Sequence, residues 1–171
     1  MISMVSLNVR SIRNKVHQAF PTLVDDQVDV FFVQETWLRK CDGATLKEIA
    51  EYGFKILTYR KPRALDWGGG VATIFRSNLN VKLLKLSVVY QSFEFLACKI
   101  LTNDGPVCVV NIYRPGYSMK NRYTVQHFLT EFKYLLEELI LLPYPIIILG
   151  DFNFHVELRS STNETLQNRH C

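Results

Sequence analysis

The sequence predicts an α/β fold in which helices cover a layered β structure of mixed strand direction. Three observations lead there. Short apolar stretches, Val28 to Val33 and the unbroken Ile146 to Leu149, read as strands buried on both faces. The stretch Tyr123 to Leu142 keeps its apolar residues at helical spacing and suits covering one face of a sheet. The order of elements is strand, helix, strand, helix, a run of strands, helix, strand, which is not the regular alternation of a doubly wound sheet. A chain of 171 residues fits one domain, and with 48% hydrophobic residues it can bury a sizeable core.

Taken in order, Ile2 to Leu7 alternates as a strand that ends at Asn8. A helix capped near Ser11 or Asn14 follows, with Val16, Phe20, Leu23 and Val24 inward and Pro21 breaking or kinking it. The strand Val28 to Val33 runs into Gln34-Glu35-Thr36-Trp37, where the carboxylate of Glu35 must be solvated or paired. Thr45 to Tyr52 reads as a short helix ended by Gly53, and Phe54 to Tyr59 as a strand. A basic loop, Arg60 to Arg63, leads to Asp66-Trp67 and three glycines, then to the strand Val71 to Phe75. No Gly-Lys-Ser/Thr and no helix follow the glycines, so they read as a hairpin entry and close-approach point, not a phosphate loop. Asn80 to Leu86, Phe93 to Leu101 and Val107 to Tyr113 are further strands, the last two joined by the turn Asn103-Asp104-Gly105-Pro106. The long helix then leads into the strand at Ile146.

Composition narrows the function classes. A net charge of +4 is compatible with a polyanionic partner without requiring one. Four cysteines form neither a CxxC pair nor a zinc spacing, and with no secretory signal they read as reduced thiols of an intracellular protein. The longest apolar block, Leu139 to Leu149, is too short to cross a bilayer and is cut by Pro143 and Pro145.

The chemistry concentrates where strands end. After Ile146 to Leu149, Gly150 turns the backbone and presents Asp151 and Asn153 on one side of an extended chain. A carboxylate beside an amide suits a hydrated divalent cation and the water it activates, although an Asx-rich turn gives the same local pattern. Asn8, Glu35, Tyr113, Asp151 and Asn153 all lie just past a hydrophobic strand, where open α/β sheets gather ligands.

Leu7-Asn8-Val9-Arg10, Gln34 to Trp37, Trp67 to Ala72, Ile112 to Pro115 and Gly150 to Asn153 stand in an order that resembles the endonuclease/exonuclease/phosphatase superfamily. The wording is most similar to the apurinic-endonuclease-like domain of LINE-type non-LTR retrotransposons. The resemblance implies a deoxyribonuclease I-like β-sandwich flanked by helices over residues 1–156, incomplete at its C-terminus, then an irregular polar tail over 157–171. It implies Mg²⁺, or Mn²⁺ as the alternative, with Glu35 as main ligand and Asn8 and Asp151 as further ligands. Asp151 would also orient or deprotonate the attacking water, Asn8 and Asn153 would approach the phosphate, and Tyr113 would hydrogen-bond the phosphoryl oxygen. The family's closing Ser-Asp-His motif has no counterpart here, and neither His155 nor His170 replaces its histidine by position.

The expected function is therefore Mg²⁺-dependent nicking of DNA, weak or absent in this chain by itself, with a nuclear site of action. The open sheet edge left at the C-terminal side would need a partner or a further segment. Arg10, Arg13, Lys15, Arg39, Lys40, Arg60, Lys61, Arg63, Arg114, Lys120 and Arg122 fall at or near strand exits and would track a phosphate backbone. Trp37 and Trp67 would stack on bases or pack in the core. A phospholipid or inositol phosphate substrate on the same fold, and a non-catalytic retroelement-derived remnant, are the alternatives.

Overall fold

The computed structural model describes residues 1–61, 68–87, 89–118 and 122–154. Arg63, Trp67, Lys120, His155, His170 and the tail 157–171 lie outside them. Among the described residues the order is β1 (Met4–Asn8), α1 (Val16–Asp25), β2 (Val30–Gln34), α2 (Gly43–Glu51), β3 (Phe54–Tyr59) and β4 (Val71–Arg76). Then come β5 (Val81–Leu84), β6 (Glu94–Thr102), β7 (Gly105–Tyr113), α3 (Val125–Leu139) and β8 (Ile146–Asp151). They form two four-stranded sheets, β1-β2-β4-β3 and β5-β6-β7-β8. The outer pairs β1–β2 and β7–β8 are parallel and the other pairs antiparallel.

Strand alternation sorts the side chains into three apolar layers. Phe31 and Val33 of β2 point to the layer under α1 and α2, with Phe20, Ile49, Phe54 and Ile74. Val30 and Phe32 point the other way, into the space between the sheets, where they meet Leu96, Ile100 and Val109. The opposite face of the second sheet, through Val110 and Ile112, packs on Phe128, Leu135 and Leu139 of α3. The result is helices, sheet, sheet, helix. β2, with sheet neighbours on both sides and layers on both faces, is buried throughout.

Local readings needed correction in four places. The first helix has no side-chain cap near Ser11 or Asn14 and begins at Val16. The segment before it is held instead by Ser11 N–H and Ile12 N–H donating to the carbonyls of Glu35 and Thr36. Pro21 sits inside α1 without breaking it, the acceptor it deprives being on exposed His17. In the β6–β7 hairpin the turn is Asn103-Asp104, and Gly105 and Pro106 already pair with Thr102 and Leu101. β8 is not buried on both faces: Ile146 is 36% and Ile147 42% exposed, because β8 is the last described strand of its sheet. β1 is likewise an edge, exposing Leu7 at 55%.

Gly150 makes the β8 exit. Its φ is 138°, and a Cβ there would run into the carbonyl oxygen of Ile112. Gly150→Ala is expected to lower stability by about 2–3 kcal/mol, from strain plus a clash against backbone that cannot move alone. Urea unfolding measures it.

Glu131 of α3 fastens the loop before β6, accepting from Gln91 N–H (2.8 Å), Ser92 N–H (2.7 Å) and Ser92 Oγ (2.5 Å). Burial raises its pKa, but these hydrogen bonds, with His127, outweigh burial and hold it below the usual glutamate value. A group lower in the folded than in the unfolded state stabilises fully above the unfolded value and loses that contribution as pH falls through the folded one. Glu131→Gln is therefore expected to lose less stability than the wild type on acidification below about pH 4, measured by urea unfolding at stepped pH.

Candidate functional site

Parallel pairing explains why far-apart residues meet. Asn8 and Gln34 are register partners at the ends of β1 and β2, and Tyr113 and Asp151 are partners at the ends of β7 and β8. Both pairs finish at the same end of the sandwich. There the side-chain nitrogen of Asn8 donates to Glu35 Oε1 (3.0 Å) and to Asp151 Oδ2 (2.7 Å). Tyr113 OH donates to Glu35 Oε1 (3.0 Å), and the Trp37 indole N–H to Glu35 Oε2 (3.3 Å). Asn153 N–H donates to Asp151 Oδ1 (3.0 Å). The structure thus brings Asn8, Glu35, Tyr113, Asp151 and Asn153 into one cluster.

Two carboxylates linked through one amide nitrogen repel each other less because each accepts several donors. The donor chemistry suits a hard divalent cation: oxygen ligands from one or two carboxylates, with water completing the shell, is how Mg²⁺ is commonly held. Among the described residues no group of three or more His, Cys, Asp or Glu side chains stands ready for a metal, and the cluster itself offers two carboxylates. Asn8 turns its nitrogen toward the carboxylates while its oxygen accepts from Arg10 N–H (3.1 Å). Serving as a ligand would require that amide to rotate. The Asn153 side chain donates to the Arg114 carbonyl at 2.7 Å and so ties the turn after β8.

Several supports escaped sequence reasoning. Gln34 and Asn111 are buried amides on facing sheets, and Gln34 Nε2 donates to Asn111 Oδ1 at 2.6 Å. Asn111 in turn donates to the carbonyls of Val33 (3.1 Å) and Ala72 (2.9 Å). Glu94, between two phenylalanines, is buried and accepts from Gly70 N–H. The signal was a polar residue inside an apolar strand, which burial obliges to find a partner.

Arg114 does not belong to a DNA-tracking rim. It is buried, donates to the carbonyls of Phe152 (3.0 Å) and Asn153 (3.1 Å), and lies over the rings of Phe128 and Phe154. Its charge is used to hold the chain leaving β8. Arg13 pairs with Asp42 at 2.9 Å, whereas Arg10 and Lys40 are exposed. Trp37 is half-buried over Glu35, not in the core.

Comparison with known proteins places this fold. Residues 5–169 match the model of the Endonuclease/Exonuclease/phosphatase family. Among solved structures, a humanized TDP2 of D. rerio is similar at 18% identity and TM-score 0.64, over 90% of this chain and 67% of that one. An AP endonuclease from Archaeoglobus fulgidus gives 18% identity and TM-score 0.62, covering 88% of this chain and 57% of that one. The 3′ phosphatase NExo from Neisseria, bound to product DNA hairpin, gives 20% identity and TM-score 0.61, over 90% of this chain and 58% of that one. At such identities the likeness shows the fold, and the chain spans a little over half to two thirds of these structures' length. No curated protein matches the chain significantly. With the family pattern running through nearly all of its sequence on a two-sheet, helix-flanked fold, the chain belongs to the endonuclease/exonuclease/phosphatase family.

Proposed function

We propose that the chain is a divalent-metal phosphodiesterase of nuclease type that nicks DNA, weakly when it acts alone. The observation that carries this reading is the Asn8 amide nitrogen within hydrogen-bond distance of both Glu35 and Asp151, carboxylates from opposite sheets. Glu35 and Asp151 would hold Mg²⁺, or Mn²⁺ in its place. Such an ion polarises a phosphoryl oxygen and lowers the pKa of water.

The remaining work falls to the chain's own groups. Asp151 Oδ orients the attacking water and takes its proton as the new O–P bond forms and the P–O ester bond breaks. The Tyr113 hydroxyl donates toward the oxygens on which negative charge grows. Asn8 and Asn153 would approach the phosphate by turning their amides away from the groups they bind here, Glu35 and Asp151 for Asn8 and the Arg114 carbonyl for Asn153. Among the described residues no imidazole joins this cluster, since His17 lies on α1 and His127 on α3 beside Glu131. On this reading the departing alkoxide would take its proton from solvent, which goes with the low rate proposed. The Gln34-Glu35-Thr36-Trp37 and Gly150-Asp151-Phe152-Asn153 wording supports assignment to the LINE-type, apurinic-endonuclease-like branch, and a nuclear site of action goes with it. Exposed Arg10, whose N–H donates to Asn8, and exposed Lys40 would supply positive charge for a phosphate backbone.

Supercoiled plasmid incubated with Mg²⁺ is expected to be nicked slowly, with activity abolished by EDTA. Glu35→Ala or Asp151→Ala is expected to reduce nicking by at least about 10²-fold. Nicking that survives EDTA or either substitution refutes the assignment. Tyr113→Phe is expected to slow nicking by roughly 10- to 100-fold with little change in DNA affinity, measured as initial nicking rate against binding by fluorescence anisotropy.

A further inference from the structure

Glu35 and Trp37 both adopt φ of 54°, a left-handed conformation that such side chains rarely take and that surrounding contacts must impose. Those contacts come from the glycine run. Thr36 N–H donates to the Gly70 carbonyl (3.1 Å) and Trp37 N–H to the Gly69 carbonyl (3.0 Å). Gly70 itself has φ of 91°, and a Cβ there would collide with Thr36 Oγ1, so the two segments touch along their backbones. The glycines need an anchor of their own, because such a run has little intrinsic preference for one conformation.

That anchor comes from the other sheet. Glu94, 1% exposed at the start of β6, accepts the Gly70 N–H on its carboxylate. Glu94 is also the register partner of Tyr113, whose hydroxyl reaches Glu35. A continuous path therefore runs from the Glu94 carboxylate through Gly70 to the Thr36 amide, and through the adjacent Gly69 to the Trp37 amide, and so to the Glu35 carboxylate and the indole that donates to it.

We propose that Glu94 is a positioning residue for the metal site. By holding Gly70 it fixes the left-handed loop that aims Glu35, so divalent-ion affinity depends on a carboxylate that does not itself reach the ion. The inference rests on the functional reading above. Groups behind a metal ligand typically change affinity by about 10- to 100-fold when removed.

The test uses Tb³⁺ as probe, its luminescence sensitised by the indole of Trp37, with Mg²⁺ as competitor and no turnover required. In the full chain, wild-type protein is expected to sensitise Tb³⁺ and Glu35→Ala to lose the signal. Glu94→Ala is expected to bind about 10-fold or more weakly, while Glu94→Gln, whose amide oxygen still accepts the Gly70 N–H, stays within about 3-fold of wild type. A remote core variant, Ile100→Val, destabilised but distant from the loop, is expected to bind like wild type, which separates positioning from general loss of stability. Should Glu94→Ala not fold, Glu94→Asp carries the same test, since its shorter carboxylate falls back from Gly70 and should weaken Tb³⁺ binding. Wild-type affinity in Glu94→Ala or Glu94→Asp, or Glu94→Gln as weak as Glu94→Ala, overturns the inference and leaves the metal site standing. Absence of any Glu35-dependent Tb³⁺ signal in the wild type overturns both.

Discussion

Two amides buried between the sheets, Gln34 on β2 and Asn111 on β7, set the relation of one half of the sandwich to the other. Apolar contact between sheets is non-directional, so it fixes a separation of layers better than a register between them. The hydrogen bond from Gln34 to Asn111, together with those from Asn111 to the carbonyls of Val33 and Ala72, removes that freedom. Each partner left unsatisfied in this layer would cost about 1–3 kcal/mol, so sliding the sheets is penalised several times over. Glu35 follows Gln34 directly and Tyr113 lies one strand repeat beyond Asn111, so whatever locks the amides also locks the site.

Around the two carboxylates the chain arranges donors in place of rigid bulk. Asn8, Tyr113 and Trp37 converge on Glu35, and Asn8 and Asn153 on Asp151. The backbone carrying them is held in unusual conformations at Arg10, Ser11, Glu35, Trp37 and Asn153, all with positive φ. Local sequence preference opposes such conformations, and tertiary hydrogen bonds enforce them. The glycine run does this at the Glu35 loop and the Arg114 guanidinium at the turn after β8.

Among the described residues the strands that carry Asn8 and Asp151 both lie at sheet edges. β1 and β8 are edge strands whose Val5, Leu7, Ile146 and Ile147 are exposed. Exposed apolar edges of this kind favour pairing with further strand. β1 and β8 also deliver Asn8 and Asp151, so the order of these edges bears directly on the carboxylate cluster.

Much of this was legible in the residues themselves. Strand-length apolar runs, the helical spacing before Ile146 and the position of polar residues at strand exits gave the layered α/β class, and the five residues that cluster were all named by their place at strand ends. Those features are local: they depend on alternation, on periodicity, and on the tendency of polar side chains to appear where a buried run stops. What no local pattern contained was the supporting structure, including the Gln34–Asn111 tie, Glu94 under the glycines and Arg114 drawn inward from its expected place on a basic rim. Burial of β8 was overestimated for a related reason, since an apolar strand looks the same in sequence whether it lies at a sheet's centre or its edge. The sequence by itself determined which residues could bear the chemistry and at which strand ends they stand. Only the tertiary structure decided that those ends meet, because strand order, parallel pairing and the match between two sheets are set by contacts between segments far apart along the chain.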